Sequence, residues 1–317
     1  MHPTVQGETS KDILKGISIT LLILAISFYM PILGFFCSLL VPLPVLFYRA
    51  KLGRTNGLII PVATLVIMSA INRSISMDLL FFVELLFLGF VLSELIEMDL
   101  SIERTILYAC GAILLTVFVA LYFYSSISHM AMGTMISDYI KTNLEYTITL
   151  YREMGVSEEN IQKISSSMDR IQYVLVRIIP AIVGASTLFL AWMTLLLAKP
   201  LLFKHKLFYP DFGPLNSWRA PEFLVWPVIA CGLLILFFDS SIGMLGYNGI
   251  VVLMVIYFFS GIALVSFFFE KKRFPRILKI SFYSFIAIQQ VLLLLVIILG
   301  FFDIWFNFRK MGTRHSA

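Results

Sequence analysis

The chain is poor in charge. Only 14% of its 317 residues are Asp, Glu, Lys or Arg, against about 25% in a soluble domain. It is also poor in cysteine and histidine, with three and four residues. Cys37, Cys110 and Cys231 all lie in apolar stretches and no CxxC occurs. A disulfide framework and a cysteine-rich metal site are therefore not expected. The histidines at 2, 129, 205 and 315 are scattered, and none falls mid-way along an apolar run. HExxH, GxSxG, P-loop and GxGxxG patterns are missing too. Gly184-Ala185-Ser186 offers a serine but no histidine to activate it. The expectation is a protein that is not an enzyme and carries neither cofactor nor metal.

What the chain has is apolar surface. Hydrophobic residues make up 59%, Phe alone contributes 29, and the mean hydropathy is +0.92. A soluble core of this length has no room for so much. The composition excludes a water-soluble globular enzyme, a disordered chain and a nucleic-acid-binding domain. It predicts an all-α, polytopic integral membrane protein. The net charge of +5 then belongs to basic loops at a membrane face, not to nucleic acid.

Hydropathy divides the chain into about nine transmembrane helices, with eight as the alternative. Ile13–Phe47 is too long for one span of about 20 residues. Pro31 and Gly34 split it into helix 1 (Ile13–Met30) and a short helix 2 (Leu33–Tyr48), which Pro42 and Pro44 bend or break. A basic turn follows at Arg49, Lys51 and Arg54. The later spans are predicted at Gly57–Ile71, Leu79–Leu95, Thr105–Ser128, Ile171–Ala198, Phe223–Phe238, Ile250–Phe269 and Ile280–Phe302. Residues 1–317 read as a single membrane domain with one insertion, residues 129–170, between helices 5 and 6. There Ile148, Tyr151 and Met154, then Ile161, Ile164 and Met168, recur at helical spacing. Two amphipathic helices joined at Gly155-Val156-Ser157 are expected, outside the membrane.

Loop charge sets the orientation. With a cytoplasmic N-terminus, the inner loops collect Arg49, Lys51, Arg54, Lys204, Lys206 and the run from Lys271 to Lys279. The outer loops hold only Arg73, Lys141, Arg152, Lys163 and Arg170. The reading is a multi-pass protein of a bacterial cytoplasmic (inner) membrane. A basic tail with Arg309 and Lys310 fits nine spans less well.

Charges inside hydrocarbon need a partner or a cavity. Glu84 and Arg177 each lie about six residues into a span, and as a pair they would neutralise one another. Such a pair serves either as a solute or proton site or as a fixed packing element. Pro180 frees a carbonyl in the same helix as Arg177, lining a site or only kinking the helix. Gln289 and Gln290 read as interhelical hydrogen-bonding groups in the middle of helix 9. Glu94 and Glu97 read as a solvated rim. Trp218 and Arg219 read as a membrane-interface anchor. Gly243, Gly246 and Gly249 read as turn residues.

Four motifs in order carry a resemblance. They are Pro31-Ile-Leu-Gly34 with Leu40-Val-Pro42-Leu-Pro44 and Lys51-Leu-Gly53; Tyr151-Arg-Glu-Met-Gly155-Val-Ser157-Glu158-Glu159; Trp218-Arg-Ala-Pro221; and the tail Phe302-Asp303-Ile-Trp305-Phe-Asn-Phe-Arg309-Lys310. Together they resemble the YybS-like bacterial membrane proteins, domain of unknown function 2232, over nearly the whole chain. That family implies a membrane fold and no particular activity. The first three helices also resemble the S components of energy-coupling-factor vitamin transporters, which share a proline-containing turn, a short second helix and a Gly-x-x-Gly-type turn. Here Gly53-Arg54-Thr55-Asn56-Gly57 is one residue longer. This likeness implies a small solute bound near Pro31, Glu84, Arg177 and Pro180, and a transporter coupling subunit as partner. The competing expectation is a scaffold in the lipid bilayer that recruits envelope or cytoplasmic proteins.

Overall fold

The structure is a computed structural model that describes residues 3–72, 77–238 and 241–313. Every regular element in it is helical. The chain, read from sequence as one membrane domain, falls into two compact units. The first comprises residues 1–176 and 186–211, the second residues 177–185 and 212–317.

The first unit begins with α1 (Pro3–Tyr29), α2 (Pro31–Ser38) and α3 (Pro42–Asn72). The break expected at Pro31 is present. Met30 is extended and Pro31 opens α2, where its missing N–H costs no hydrogen bond. Pro42 behaves the same way, and this corrects the sequence reading: it starts α3 instead of breaking helix 2. Helix 2 is thereby reduced to eight residues. The expected basic turn lies inside α3, where Gly53 takes φ 79° and ψ 175°. Only glycine adopts that backbone without strain. The helix folds so sharply there that a Cβ on Gly57 would lie 2.6 Å from Arg49 Cα.

α4 (Met77–Glu97) packs along α3, and α5 (Ile102–Ser128) along α4. Gly89 lets α4 touch the Pro42 carbonyl. Val45, Leu46, Ile60, Leu86 and Leu92 are fully buried between these helices and α1. α6 (Met132–Glu153) and α7 (Glu158–Ser166) occupy the predicted amphipathic segment. Gly155 joins them at φ 78°, and Glu158 and Glu159 fill the first turn of α7. α8 (Met168–Lys204) runs through Pro180 and supplies segments to both units.

The second unit contains α9 (Val225–Phe237), α10 (Ser241–Lys271), α11 (Arg276–Ile288), α12 (Gln290–Phe306) and α13 (Phe308–Thr313). The backbones of α10 and α12 touch. A Cβ on Gly300 would overlap the Tyr257 carbonyl oxygen, and one on Gly261 would overlap that of Val296. Close approach at small residues is how helices pack where lipid provides no hydrophobic drive. The same holds for Gly243, Gly246 and Gly249, another correction: they are helical, on the first turns of α10. Gly246 and Gly249 face Cys231 of α9. Gln289 is not mid-helix either. It is extended, and α11 and α12 meet there at 102°.

The span count follows. Among the described residues six helices are long and apolar enough to cross a membrane, or seven if α11 and α12 form one broken span. The difference from nine has two sources. The stretch 33–71, expected as two spans, is one bent apolar stretch, and 222–237 is a shorter apolar helix. At 1.5 Å per residue the thirteen residues of α9 reach only about 20 Å, against a hydrocarbon core of about 30 Å.

Candidate functional site

Glu84 projects from α4 into a cavity of about 240 Å³ in the first unit. α3 contributes Leu58, Pro61 and Val62; α4 contributes Val83 and Phe87; α5 contributes Thr116 and Ala120. These elements meet here for local reasons. Pro61 sits inside α3, where it removes a backbone donor, and α4 presents one apolar turn after another on either side of Glu84. The wall is apolar apart from Glu84 and Thr116, and the Thr116 hydroxyl already donates to the Ala112 carbonyl. Glu84 is half-buried and has no hydrogen bond or ion pair among the described residues. Leu58 and Val62, each about half exposed, stand at the rim. The arrangement can hold a small apolar molecule and present one carboxyl to it.

Arg177 and Pro180 lie in the second unit, on the segment of α8 that belongs there. The Arg177 carbonyl accepts from Asn248 Nδ2 at 3.0 Å, and the Ala181 N–H donates to Asn248 Oδ1 at 3.1 Å. In a regular helix those two groups would bond each other. The Asn248 side chain of α10 thus stands beside the turn that Pro180 disturbs, and Nδ2 also donates to the Met244 carbonyl at 2.8 Å. Pro31 opens α2 in the first unit.

Trp218 and Arg219 belong to a cluster that sequence reasoning assembled only in pieces. The buried carboxylate of Asp303 lies 3.2 Å from Arg219 Nε and 3.5 Å from Arg309 Nε. Its other oxygen accepts from the Phe308 N–H at 3.0 Å. Arg309, also buried, donates to the carbonyls of Ser217 and Trp218, the latter at 2.9 Å. Arg219 reaches Asn307. Two arginines therefore share one carboxylate and lock the Trp218 loop to the 303–309 segment. Burial lowers the Arg309 guanidinium from its ordinary range; Asp303 opposes this and Arg219 adds to it.

A second buried cation was not anticipated. Arg49 is 2% exposed, and Glu94 accepts from its Nε at 2.9 Å and from its Nη2. Nη1 faces the Ser93 carbonyl at 3.3 Å and Glu97 at 2.5 Å. Both acids are thus ion-pair partners of a core arginine; Glu94 is partly buried, which corrects its reading as a solvated rim, while Glu97 stays 52% exposed. The clue available in sequence was two acids one helical turn apart following a basic turn. Among the described residues no group of His, Cys, Asp or Glu is arranged to hold a metal ion.

The family described as "Predicted membrane protein (DUF2232)" matches residues 18–304, and the chain belongs to it. No curated protein and no solved structure matches. The likeness to S components is not shown by these comparisons.

Proposed function

We propose that this member of the DUF2232 family binds a small, mostly apolar solute carrying one cationic or hydrogen-bond-donating group, in the cavity beside Glu84. Binding serves movement of that solute across or out of the bilayer, and the protein catalyses no reaction on it. The observation that carries this reading is a half-buried carboxyl with no partner among the described residues, in a cavity whose wall is otherwise apolar but for Thr116, whose hydroxyl is already bonded. A charged residue at the centre of a span costs about 2.5–3.5 kcal/mol on insertion scales, and Glu84, about six residues into its span, carries part of that cost. A residue kept there at that cost is a functional candidate, and a solute cation or donor would offset it. The half-exposed rim at Leu58 and Val62 suits entry from the lipid side. In this reading the N-terminus is cytoplasmic, the membrane is the bacterial inner one, and energy comes from a coupling subunit.

The test is gentle purification from native membranes, with mass spectrometry of small molecules and proteins. A solute present at one per protein, and lost on Glu84→Gln, supports the reading. Equal solute content in wild type and Glu84→Gln rejects it. One feature favours the scaffold reading instead. Tyr146 and Met154, 60% and 76% exposed, stand on the α6–α7 hairpin. Envelope proteins recovered without a solute, and lost when residues 133–168 are deleted, would establish that alternative.

A further inference from the structure

The C-terminal end of α10 collects positive charge in a small, well-fixed loop. Lys271 ends the helix, and Lys272, Arg273 and Arg276 are exposed beyond it. The turn is closed by backbone bonds: Lys272 N–H to the Phe268 carbonyl, Arg273 N–H to that of Glu270, and Phe274 N–H to that of Phe269, each 3.0 Å. Arg273 takes a left-handed conformation, φ 51°, to allow this. Phe269 then packs on Phe274 and on Phe282 of α11, with ring centroids 5.1 and 5.2 Å apart. The cations are therefore held together and not spread along a mobile strand. Glu270, next to this run in the chain, accepts a hydrogen bond from Asn216 Nδ2 at 2.5 Å. Arg309, already engaged by Asp303 and the Trp218 loop, packs its guanidinium 5.8 Å from the centre of the Phe267 ring and is not part of the exposed group.

Large apolar side chains stand directly beside these cations. Ile277 is 80% exposed and Ile280 is 65% exposed. Both begin α11, which turns 102° against α12. A soluble anion would satisfy the charges and leave the isoleucines in water. A ligand with an anionic head and an acyl chain satisfies both.

We propose that this end of α10 is a binding site for an anionic phospholipid, its phosphate on Lys272, Arg273 and Arg276 and its acyl chain along Ile277 and Ile280. The site is independent of the Glu84 cavity. Each cation near an anionic lipid surface contributes about fivefold in affinity, so removing three costs on the order of a hundredfold.

The experiment uses the full chain, delipidated and reconstituted in nanodiscs of phosphatidylcholine with a quarter phosphatidylglycerol. Native mass spectrometry reads the lipids retained per protein. Wild type should retain phosphatidylglycerol in preference to phosphatidylcholine, and high salt should weaken the preference. The triple variant Lys272→Gln, Arg273→Gln, Arg276→Gln should lose it. Lys272→Arg, which keeps the charge, should retain it and shows that the loop tolerates substitution. Removing two cations from the α6–α7 hairpin, Arg152→Gln and Lys163→Gln, should leave it unchanged. An unchanged preference in the triple variant overturns the proposal. So does an equal loss in the hairpin variant, which would mark general charge attraction, or full displacement by millimolar inorganic phosphate, which would mark a free-anion site.

Discussion

Removing Glu94 should destabilise the first unit by about 3 kcal/mol. Arg49 is buried to 2% and presents its donors to a small set of acceptors. Glu94 takes two of them, Ser93 offers a carbonyl at 3.3 Å, and Glu97 sits 2.5 Å from Nη1. Breaking a buried ion pair from one side costs about 3–5 kcal/mol, because the remaining charge stays desolvated. Glu97 survives in Glu94→Ala, but it is 52% exposed and is screened. The expected loss is therefore at the low end of that range. Glu97→Ala alone should cost about 1 kcal/mol or less. The double change Arg49→Met with Glu94→Leu removes both charges and should be more stable than Glu94→Ala. Equilibrium unfolding by SDS in mixed micelles reads all of these, and a double-mutant cycle isolates the coupling. A Glu94→Ala loss below 1 kcal/mol, or strict additivity of the Arg49 and Glu94 changes, would refute the reasoning.

Two further outcomes are expected from local geometry. Gly300→Leu should cost about 3 kcal/mol or more in the same assay, because its Cβ meets the Tyr257 backbone oxygen and no side chain can move aside; full stability would mean that α10 and α12 do not touch there. Tyr209 is buried and donates to the Leu195 carbonyl at 3.0 Å, and burial pushes its phenol above the ordinary range. In the unfolded chain the phenol ionises near pH 10. The stability it contributes is thus complete below about pH 10 and lost as pH rises toward the higher folded value. Tyr209→Phe should cost about 1 kcal/mol at neutral pH and show a shallower alkaline decline; an identical decline in wild type and variant would remove Tyr209 as its source.

The helical membrane fold was legible because hydropathy reports it directly, and the DUF2232 match agrees. Breaks were harder, since one residue type has two uses. Pro31 and Pro42 have the same chemistry, and both turned out to begin helices. Reading Pro42 as a break ignored that a proline in a first turn gives up no bond. Gly243, Gly246 and Gly249 suited a turn equally well until α9 was seen against them. Long-range polar partners were out of reach. Arg49 and Glu94 are 45 residues apart, and the sequence does not say which acid a basic turn will meet. Glu84 was legible as an isolated acid in an apolar run. Its cavity was not, because it is shaped by helices from three separate stretches of chain.

The lock at Asp303 has a consequence in time. The Trp218 loop presents two backbone carbonyls that are capped by Arg309, a residue 91 to 92 positions later in the chain. During synthesis at about 5–20 residues per second, the loop leaves the ribosome several seconds before its partner exists. Through that interval the Ser217 and Trp218 carbonyls must be solvated by water, headgroups or an insertion factor. The lock of the second unit thus closes only once Arg309 is made, and a ribosome stalled before Arg309 holds a loop that is fully synthesised but still open.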